Sequence, residues 1–217
     1  MDPKVWGRSG WKFLFSVALG FPEKPDFQQI HNYTRFFNYL QYVLPCEICR
    51  LHYASHLNQI TIDPYMTSRD NLFLWVLKVH NLVNKQMGKP SITRTDVLRL
   101  YFDNKMALQG FPFPVSLWET DFWRFMFSIA YGYPKKPNFQ DIFNYKRFFT
   151  YLQYVLPCRA YRKKYYLQYI QLPIDPYLTT TEYLFNWVTK MHNALADNGI
   201  PRLKGEDDVI RFYFKGK

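Results

Sequence analysis

The chain has 217 residues, a formal net charge of +11, and 48% hydrophobic and 20% aromatic residues. Such a composition excludes a disordered protein, and its three cysteines are too few for a disulfide-stapled scaffold. No apolar run approaches the roughly 20 residues of a membrane-spanning helix, and the first residues do not resemble a signal peptide. We therefore expect a cytoplasmic protein that does not enter a membrane.

The positive charge is divided almost equally between the two halves of the chain. An even spread is typical of a solvated surface, whereas a nucleic-acid site concentrates basic residues on one face. We predict no nucleic-acid partner. A basic nucleic-acid binder stays as an alternative, which a steep loss of binding with added salt would reveal.

Helical periodicity recurs along the first half of the chain, and strand-like alternation does not. A first helix is expected at about residues 6–20, before a proline-containing break. Asp26 is a suitable N-cap for a second helix that ends near Val43. Three more helices are expected at about residues 46–58, 67–88 and 95–102.

The same pattern begins again 112 residues later. Residues 35–46 read RFFNYLQYVLPC and residues 147–158 read RFFTYLQYVLPC, so the two segments differ at one position. A repeat of this kind indicates a tandem duplication. We predict an all-α protein with two bundles of four helices plus one, at residues 1–104 and 116–217, joined by a linker at 105–115. Two fused copies can imitate a two-fold dimer, so we expect a pseudo-dimer.

The strongest chemical signal is the Cys-x-x-Cys pair of Cys46 and Cys49, which follows Pro45 directly. Proline favours a helix that starts right after it, and the positive end of a helix dipole favours a thiolate. Such a pair closes reversibly into a disulfide. With His52 and His56 the cysteines also spell a zinc-like pattern, but four ligands in one helix do not readily close a tetrahedron. We predict redox chemistry and no metal site, with zinc and an inert pair as the alternatives.

The second copy keeps the helical framework and loses the reactive positions. Because both copies share one pattern, the lost residues are not needed for folding, and we expect the second copy to be a degenerate scaffold. Cys158 repeats Cys46 without a partner and is expected to be a leftover, half-buried thiol. The substitutions are Tyr161 for Cys49, Lys164 for His52, Ala196 for Asn84 and Pro201 for Lys89.

Four motifs stand in order along the first copy. They are Gly-Arg-Ser-x-Trp at residues 7–11, Phe-Pro-Glu-Lys-Pro at 21–25, Pro-Cys-x-x-Cys-x-x-His at 45–52, and His-Asn-x-Val-Asn followed by Gly-Lys-Pro at 80–90. Together, at this spacing, they resemble the Erv/ALR family of flavin-dependent sulfhydryl oxidases. Each motif alone is weak, but the four cover most of residues 6 to 102.

The resemblance implies a thiol oxidase with FAD in the mouth of the first bundle. Cys49 would face the isoalloxazine, and Cys46 would exchange with the incoming thiol; electrons would then pass to O2 and give hydrogen peroxide. Phe15 stands where the family usually has a histidine, and Tyr101 where it has a tryptophan. The implied FAD-binding residues are Gly7, Arg8, Trp11, Phe15, His52, His80, Asn81, Val83, Asn84, Lys89 and Tyr101.

The implied partners are O2 and either protein thiol substrates or a redox partner with a dithiol. No second Cys-x-x-Cys is present as a shuttle, so the substrate or the partner must reach Cys46 itself. Thiol oxidation in such a setting resembles the oxidases of large cytoplasmic DNA viruses, which implies the host cytoplasm or the virion. Association of two chains stays open. The alternative function is a non-enzymatic scaffold or virion protein that retains the bundle.

Overall fold

The computed structural model of the protein describes residues 1–103, 114–196 and 199–215, and these residues form helices and turns without any strand. The all-α prediction is confirmed. Most of the linker predicted at 105–115 lies outside the described residues. The helices of the first repeat are α1 (Pro3–Leu19), α2 (Phe27–Val43), α3 (Glu47–Gln59), α4 (Arg69–Gln86) and α5 (Arg94–Phe102).

The second repeat has the same order of elements. Its helices are α6 (Glu119–Tyr131), α7 (Phe139–Val155), α8 (Arg159–Gln171), α9 (Thr181–Leu195) and α10 (Glu206–Val209). A π-helical segment at Ile210–Phe214 continues α10. Together these two short segments take the place of α5.

Side-chain caps fix the start of the second helix in each repeat. Asp26 accepts a hydrogen bond from the backbone N–H of Gln29, and the Gln29 side chain accepts one from the backbone of Asp26. Asn138 and Asp141 form the same reciprocal cap in the second repeat. These bonds satisfy N–H groups that the first helical turn leaves without partners. The predicted start of the second helix is therefore confirmed.

The two repeats pack face to face, α2 against α7 and α1 against α6. Several contacts join a residue to its own equivalent in the other repeat, which is the mark of a two-fold axis. The predicted pseudo-dimer is confirmed. The ring pairs on the axis, with centroid distances, are Phe13–Phe125 (6.2 Å), Phe36–Phe148 (5.5 Å) and Tyr39–Tyr151 (5.7 Å).

One polar cluster also crosses this interface. Asp121 accepts a hydrogen bond from the hydroxyl of Ser9, its equivalent residue, at 2.8 Å. Lys12 pairs with the other carboxylate oxygen of Asp121, also at 2.8 Å. Two aspartates would repel each other at this place, so the serine on one side makes the contact attractive.

None of the helices in the described parts of the chain combines the length and apolar character that crossing a bilayer requires.

Candidate active site

The Cys-x-x-Cys pair forms a disulfide at the first turn of α3. The Cα atoms of Cys46 and Cys49 lie 5.1 Å apart. Cys46 is the N-cap of α3, and its Sγ accepts a hydrogen bond from the backbone N–H of Cys49 at 3.3 Å. Both residues are half-buried. The predicted position of the two sulfurs at a helix N-terminus is therefore confirmed, and that end of the helix favours a thiolate.

Hydrogen bonds tie the disulfide-bearing turn to α2. The Arg50 guanidinium donates to the carbonyl of Leu44 at 2.9 Å, across the corner between α2 and α3. One turn further along α3, the buried Tyr53 donates its hydroxyl to the carbonyl of Phe37 at 3.1 Å. The disulfide consequently lies next to a turn between α2 and α3 that these two hydrogen bonds stabilise.

Four rings meet where α1, α4 and α5 come together. His80 Nε2 lies 3.0 Å from the Tyr101 hydroxyl, and the Trp11 ring meets the His80 ring edge-on at 4.7 Å. The Phe15 ring lies 5.8 Å from that of His80 and 5.6 Å from that of Tyr101. The structure thus brings together four of the residues predicted from the sequence to bind FAD.

His80 is an uncharged, buried ring in this cluster. Burial lowers the pKa of His80 to about 4, so the ring is neutral at physiological pH. Its Nδ1 atom is buried and makes no hydrogen bond of normal geometry within the described residues. The Asn81 side chain interacts with this ring, as the Asn193 side chain does with His192, and a contact from His80 to FAD stays a prediction.

The structure buries His56, the last residue of the zinc-like pattern, on α3. The residue is only 6% exposed, and neither ring nitrogen makes a hydrogen bond of normal geometry within the described residues. Burial lowers the pKa of His56, and the nearby His52 lowers it further. The four-residue spacing of these histidines places both on one side of α3. That spacing was the signal that could have identified His56 as a candidate site residue.

Two asparagines shape the loop that follows α4. Asn81 exchanges two hydrogen bonds of 2.9 Å with the backbone of Ile92. Asn84 donates to the carbonyl of Pro90 at 3.0 Å, and Gly88 turns the chain with a left-handed φ of 67°, which glycine adopts without strain. Both amides are thus engaged with the protein itself, and their contacts to FAD stay predictions.

The two cations predicted to meet phosphate are Arg8, on α1, and Lys89, which follows α4. Arg8 donates to the carbonyl of Leu100 at 2.5 Å, and its guanidinium lies 5.7 Å from the centroid of the Tyr101 ring. Lys89 is exposed, as a phosphate partner can be. Val83 is half-buried on α4.

In the second repeat a tyrosine fills the space equivalent to the disulfide's inner side. Tyr161, which stands in place of Cys49, is buried. Its hydroxyl donates to the Glu119 carboxylate at 2.7 Å and accepts a hydrogen bond from the indole N–H of Trp123 at 3.1 Å. Glu119 is itself only 4% exposed. A phenol, a carboxylate and an indole therefore close this space from three sides.

The first repeat has room at the same place. Gly7 is the equivalent of Glu119, and a Cβ atom added to it would meet nothing within 4 Å. Cys49 is far smaller than Tyr161, and Trp11 takes the place of Trp123. Gly7 and Cys49 therefore leave unfilled the volume that the Glu119 and Tyr161 side chains take up in the second repeat.

These features of the first repeat fit the cofactor FAD. Small residues replace Tyr161 and Glu119, the rings of Trp11 and Phe15 offer flat apolar faces, and Arg8 offers a cation for phosphate. The sulfurs of Cys46 and Cys49 are bonded to each other in the structure, and the absence of a metal site stays a prediction. Cys158 is half-buried and unpaired, as expected.

A helical bundle with a disulfide at a helix N-terminus, beside space for a ring, defines a class of redox-active thiol proteins. The model of the Erv1 / Alr family matches residues 8–103 and, a second time, residues 120–200. The chain therefore belongs to the Erv1 / Alr family, and each of its repeats is built on that family's domain.

Two relatives named as sulfhydryl oxidases agree with this assignment. The chain is 42% identical over 99 residues to the probable FAD-linked sulfhydryl oxidase of Acanthamoeba polyphaga mimivirus, covering 45% of this chain and 69% of that protein. It is 34% identical over 89 residues to the mitochondrial FAD-linked sulfhydryl oxidase of Saccharomyces cerevisiae, covering 41% and 46%. A crystal structure of the yeast Erv1 core aligns with a TM-score of 0.44 and 29% identity, covering 49% of this chain and 88% of that one.

Proposed function

We propose that this protein is an FAD-linked sulfhydryl oxidase that forms disulfide bonds in protein substrates, with O2 as acceptor and hydrogen peroxide as product. The observation that carries the proposal is the Cys46–Cys49 disulfide at the N-terminus of α3, next to the space that Tyr161 fills in the other repeat. Relatives named as FAD-linked sulfhydryl oxidases support both the activity and the cofactor.

The chain's own groups account for the thiol exchange. A substrate thiolate attacks Cys46 Sγ, the Cys46–Cys49 bond breaks, and Cys49 leaves as a thiolate at the positive end of α3. A second substrate thiolate then attacks the substrate sulfur of the mixed disulfide, and Cys46 leaves as a thiolate that the Cys49 N–H can stabilise. The substrate is oxidised to a disulfide, and the protein now holds a dithiol with the two electrons. When bound, FAD accepts those two electrons and passes them to O2.

The ring cluster prepares a site for the cofactor. Trp11 and Phe15 supply apolar faces, while the neutral His80 supplies a polar ring edge. Arg8 would meet phosphate, and Lys89 lies where it can do the same. We further propose that His56, which is buried on α3 beside the Gln86 side chain, contributes a polar contact to the same site.

We propose that only residues 1–104 form a catalytic, FAD-binding domain and that residues 116–217 form a degenerate one. Support comes from Tyr161, whose ring and hydrogen bonds to Glu119 and Trp123 take up the equivalent space. A flat cofactor could enter this space only if the hydrogen bonds of Tyr161 to Glu119 and Trp123 were broken. Breaking buried hydrogen bonds is costly. One FAD per chain is expected.

The same proposal covers the substrates of the protein and the place where it acts. The substrates are protein thiols or a partner protein with a dithiol, because no shuttle pair is present in the chain. The place of action is the cytoplasm of a host cell or the virion, which the similarity to a mimivirus protein supports.

Purification and an oxygen electrode test this function. The purified protein is expected to be yellow, to release close to one FAD per chain, and to consume O2 when given dithiothreitol or a reduced, unfolded protein. Peroxide should appear in proportion to the O2 consumed. Colourless protein that consumes no O2, even after incubation with FAD, would favour the alternative of a non-enzymatic scaffold.

A further inference from the structure

The second repeat touches the first immediately beside the disulfide. Gly132, the C-cap of α6, packs so closely that an added Cβ atom would lie 2.7 Å from the Cα atom of Pro45 and 3.3 Å from its carbonyl carbon. Real Cβ atoms do not approach so near, so only glycine permits this contact. Pro45 is buried and directly precedes Cys46.

The pseudo-two-fold axis repeats this contact at the other end of the interface. Gly20, the C-cap of α1, packs on Pro157, and an added Cβ atom would lie 2.8 Å from the Pro157 Cα atom. Pro157 precedes Cys158, which has no partner sulfur. Both glycines have ordinary helical φ angles, −80° for Gly20 and −78° for Gly132, so alanine would be excluded by contact and not by backbone strain.

Pro45 is held from both sides. Gly132 contacts it from the second repeat. Within the first repeat, the Arg50 guanidinium donates a hydrogen bond to the carbonyl of Leu44, the preceding residue. Proline has a fixed φ angle, so a displacement of Pro45 is passed on to Cys46. The Cys46 Sγ atom accepts a hydrogen bond from the backbone N–H of Cys49 at 3.3 Å, and a small shift of Cys46 would lengthen that hydrogen bond.

We infer that Gly132 is a positioning residue for the redox disulfide and that the second repeat acts as a rigid support for the Pro45–Cys46 corner. The inference goes beyond the proposed function, since it gives the degenerate repeat a part in setting thiol reactivity. It rests on that function only for the turnover measurement below. The thiol–disulfide equilibrium of Cys46 and Cys49 tests it without any assumption about FAD.

The Gly132→Ala variant, with Gly20→Ala as its matched control, tests the inference. Each alanine makes the same clash across the same interface, so both variants should lose stability to a similar extent in urea unfolding. Only Gly132→Ala moves the residue before a redox cysteine. Because its Cys46 thiolate loses part of the stabilising N–H contact, the equilibrium with glutathione, measured anaerobically by thiol trapping, should shift by about threefold toward the disulfide.

Turnover gives the second readout. With dithiothreitol, Gly132→Ala should lower kcat by about tenfold, as small misplacements of reacting groups do, while Gly20→Ala should stay within about twofold of the unaltered protein. Equal effects of the two alanines on both readouts, or no change in the glutathione equilibrium with Gly132→Ala, would overturn the inference. Absence of turnover in the unaltered protein would instead count against the proposed function and leave the glutathione measurement as the test.

A second pair of variants covers the case in which Gly132→Ala does not fold. Pro45→Ala keeps Gly132 and releases the fixed φ angle through which the contact acts, and Pro157→Ala does the same in the other repeat. Pro45→Ala is expected to shift the glutathione equilibrium in the same direction, and Pro157→Ala is expected to leave it unchanged. If neither variant changes this equilibrium, the inference is wrong.

Discussion

The residue at the position of Cys49 differs between the repeat that holds a redox disulfide and the one that does not. Cys49 is bonded to Cys46, while the larger Tyr161 is buried and donates a hydrogen bond to the buried Glu119. Exchanging Tyr161 for cysteine would remove a hydrogen bond to a buried carboxylate and leave a cavity, both of which destabilise. A single reversion is therefore not expected to create a second redox site.

Buried histidines make the stability of the protein depend on pH. Burial lowers the pKa of both His80 and His192 to about 4, from 6.5 for a free ring. The unfolded chain therefore binds protons that the folded chain excludes, so this stabilisation is complete above pH 6.5 and is lost as pH falls toward 4. When the pH is lowered from 7 to 5, the free energy of unfolding should therefore decrease by roughly 2 kcal/mol for each ring.

The control for this pH dependence is the His192→Gln variant, which removes one titrating ring outside the proposed FAD site. Urea unfolding at pH 7 and pH 5 should show a smaller loss in this variant, by roughly 2 kcal/mol. Equal losses in the variant and in the unaltered protein would contradict the neutral, buried state of His192.

At the scale of elements, α3 and its equivalent α8 also differ on the side that solvent reaches. Ile48 and Leu51, on either side of Cys49, are 62% and 65% exposed, and their equivalents are Ala160 and Lys163. Large apolar side chains exposed beside a reactive group are typical of a binding surface. We expect them to contact the substrate polypeptide around its cysteine.

Exchanging Leu51 for lysine, the residue of the other repeat, tests that contact. Loss of about 1 kcal/mol of apolar contact should raise KM for a reduced, unfolded protein about fivefold, while turnover with dithiothreitol should not change, because so small a thiol makes no such contact. Leu167→Lys, on the exposed part of α8, is the control and should affect neither substrate. An equal rise in KM for both thiols with Leu51→Lys would contradict a docking role.

The sequence predicted the helices well because their signals are local. Asp26 and the proline before Cys46 mark helix starts without reference to the rest of the fold. The first helix begins earlier than predicted, at Pro3, because the Asp2 side chain caps it and proline occupies its first turn. A motif search had no reason to look at Asp2.

Features that depend on packing escaped prediction from the sequence. The burial of His56 depends on how α3 lies against its neighbours, and the periodicity of α3 alone did not reveal it. The contact between Gly132 and Pro45 joins residues far apart in sequence and exists only once the two repeats dock. The substitution of Tyr161 for Cys49 was visible in the sequence, but its bonds to Glu119 and Trp123 were not.

The whole molecule is organised around the pseudo-two-fold interface. Phe36 and Phe148, which are equivalent, stack on each other and are fully buried. Phe13 and Phe125 make a second contact of this kind. Because these rings join the hydrophobic cores of the two repeats, we expect the chain to unfold as one cooperative unit.

The Phe148→Ala variant tests this coupling. It should lower the free energy of unfolding by about 3–5 kcal/mol, as truncation of buried aromatic residues does, and unfolding should stay a single transition that includes the first repeat. Phe139→Ala, on the same helix but 81% exposed, should change stability by less than about 0.5 kcal/mol. Two separate transitions, with only one shifted by Phe148→Ala, would show that the repeats fold independently.

The central claim is that the dithiol of the first repeat passes electrons to a single FAD. An anaerobic titration with dithiothreitol, followed by flavin absorbance, tests it most directly. One flavin per chain should be bleached in the unaltered protein and in the Cys158→Ser variant, whereas Cys46→Ser and Cys49→Ser should stay yellow under the same conditions. Rapid bleaching in Cys49→Ser, or two flavins bleached per chain, would contradict the claim.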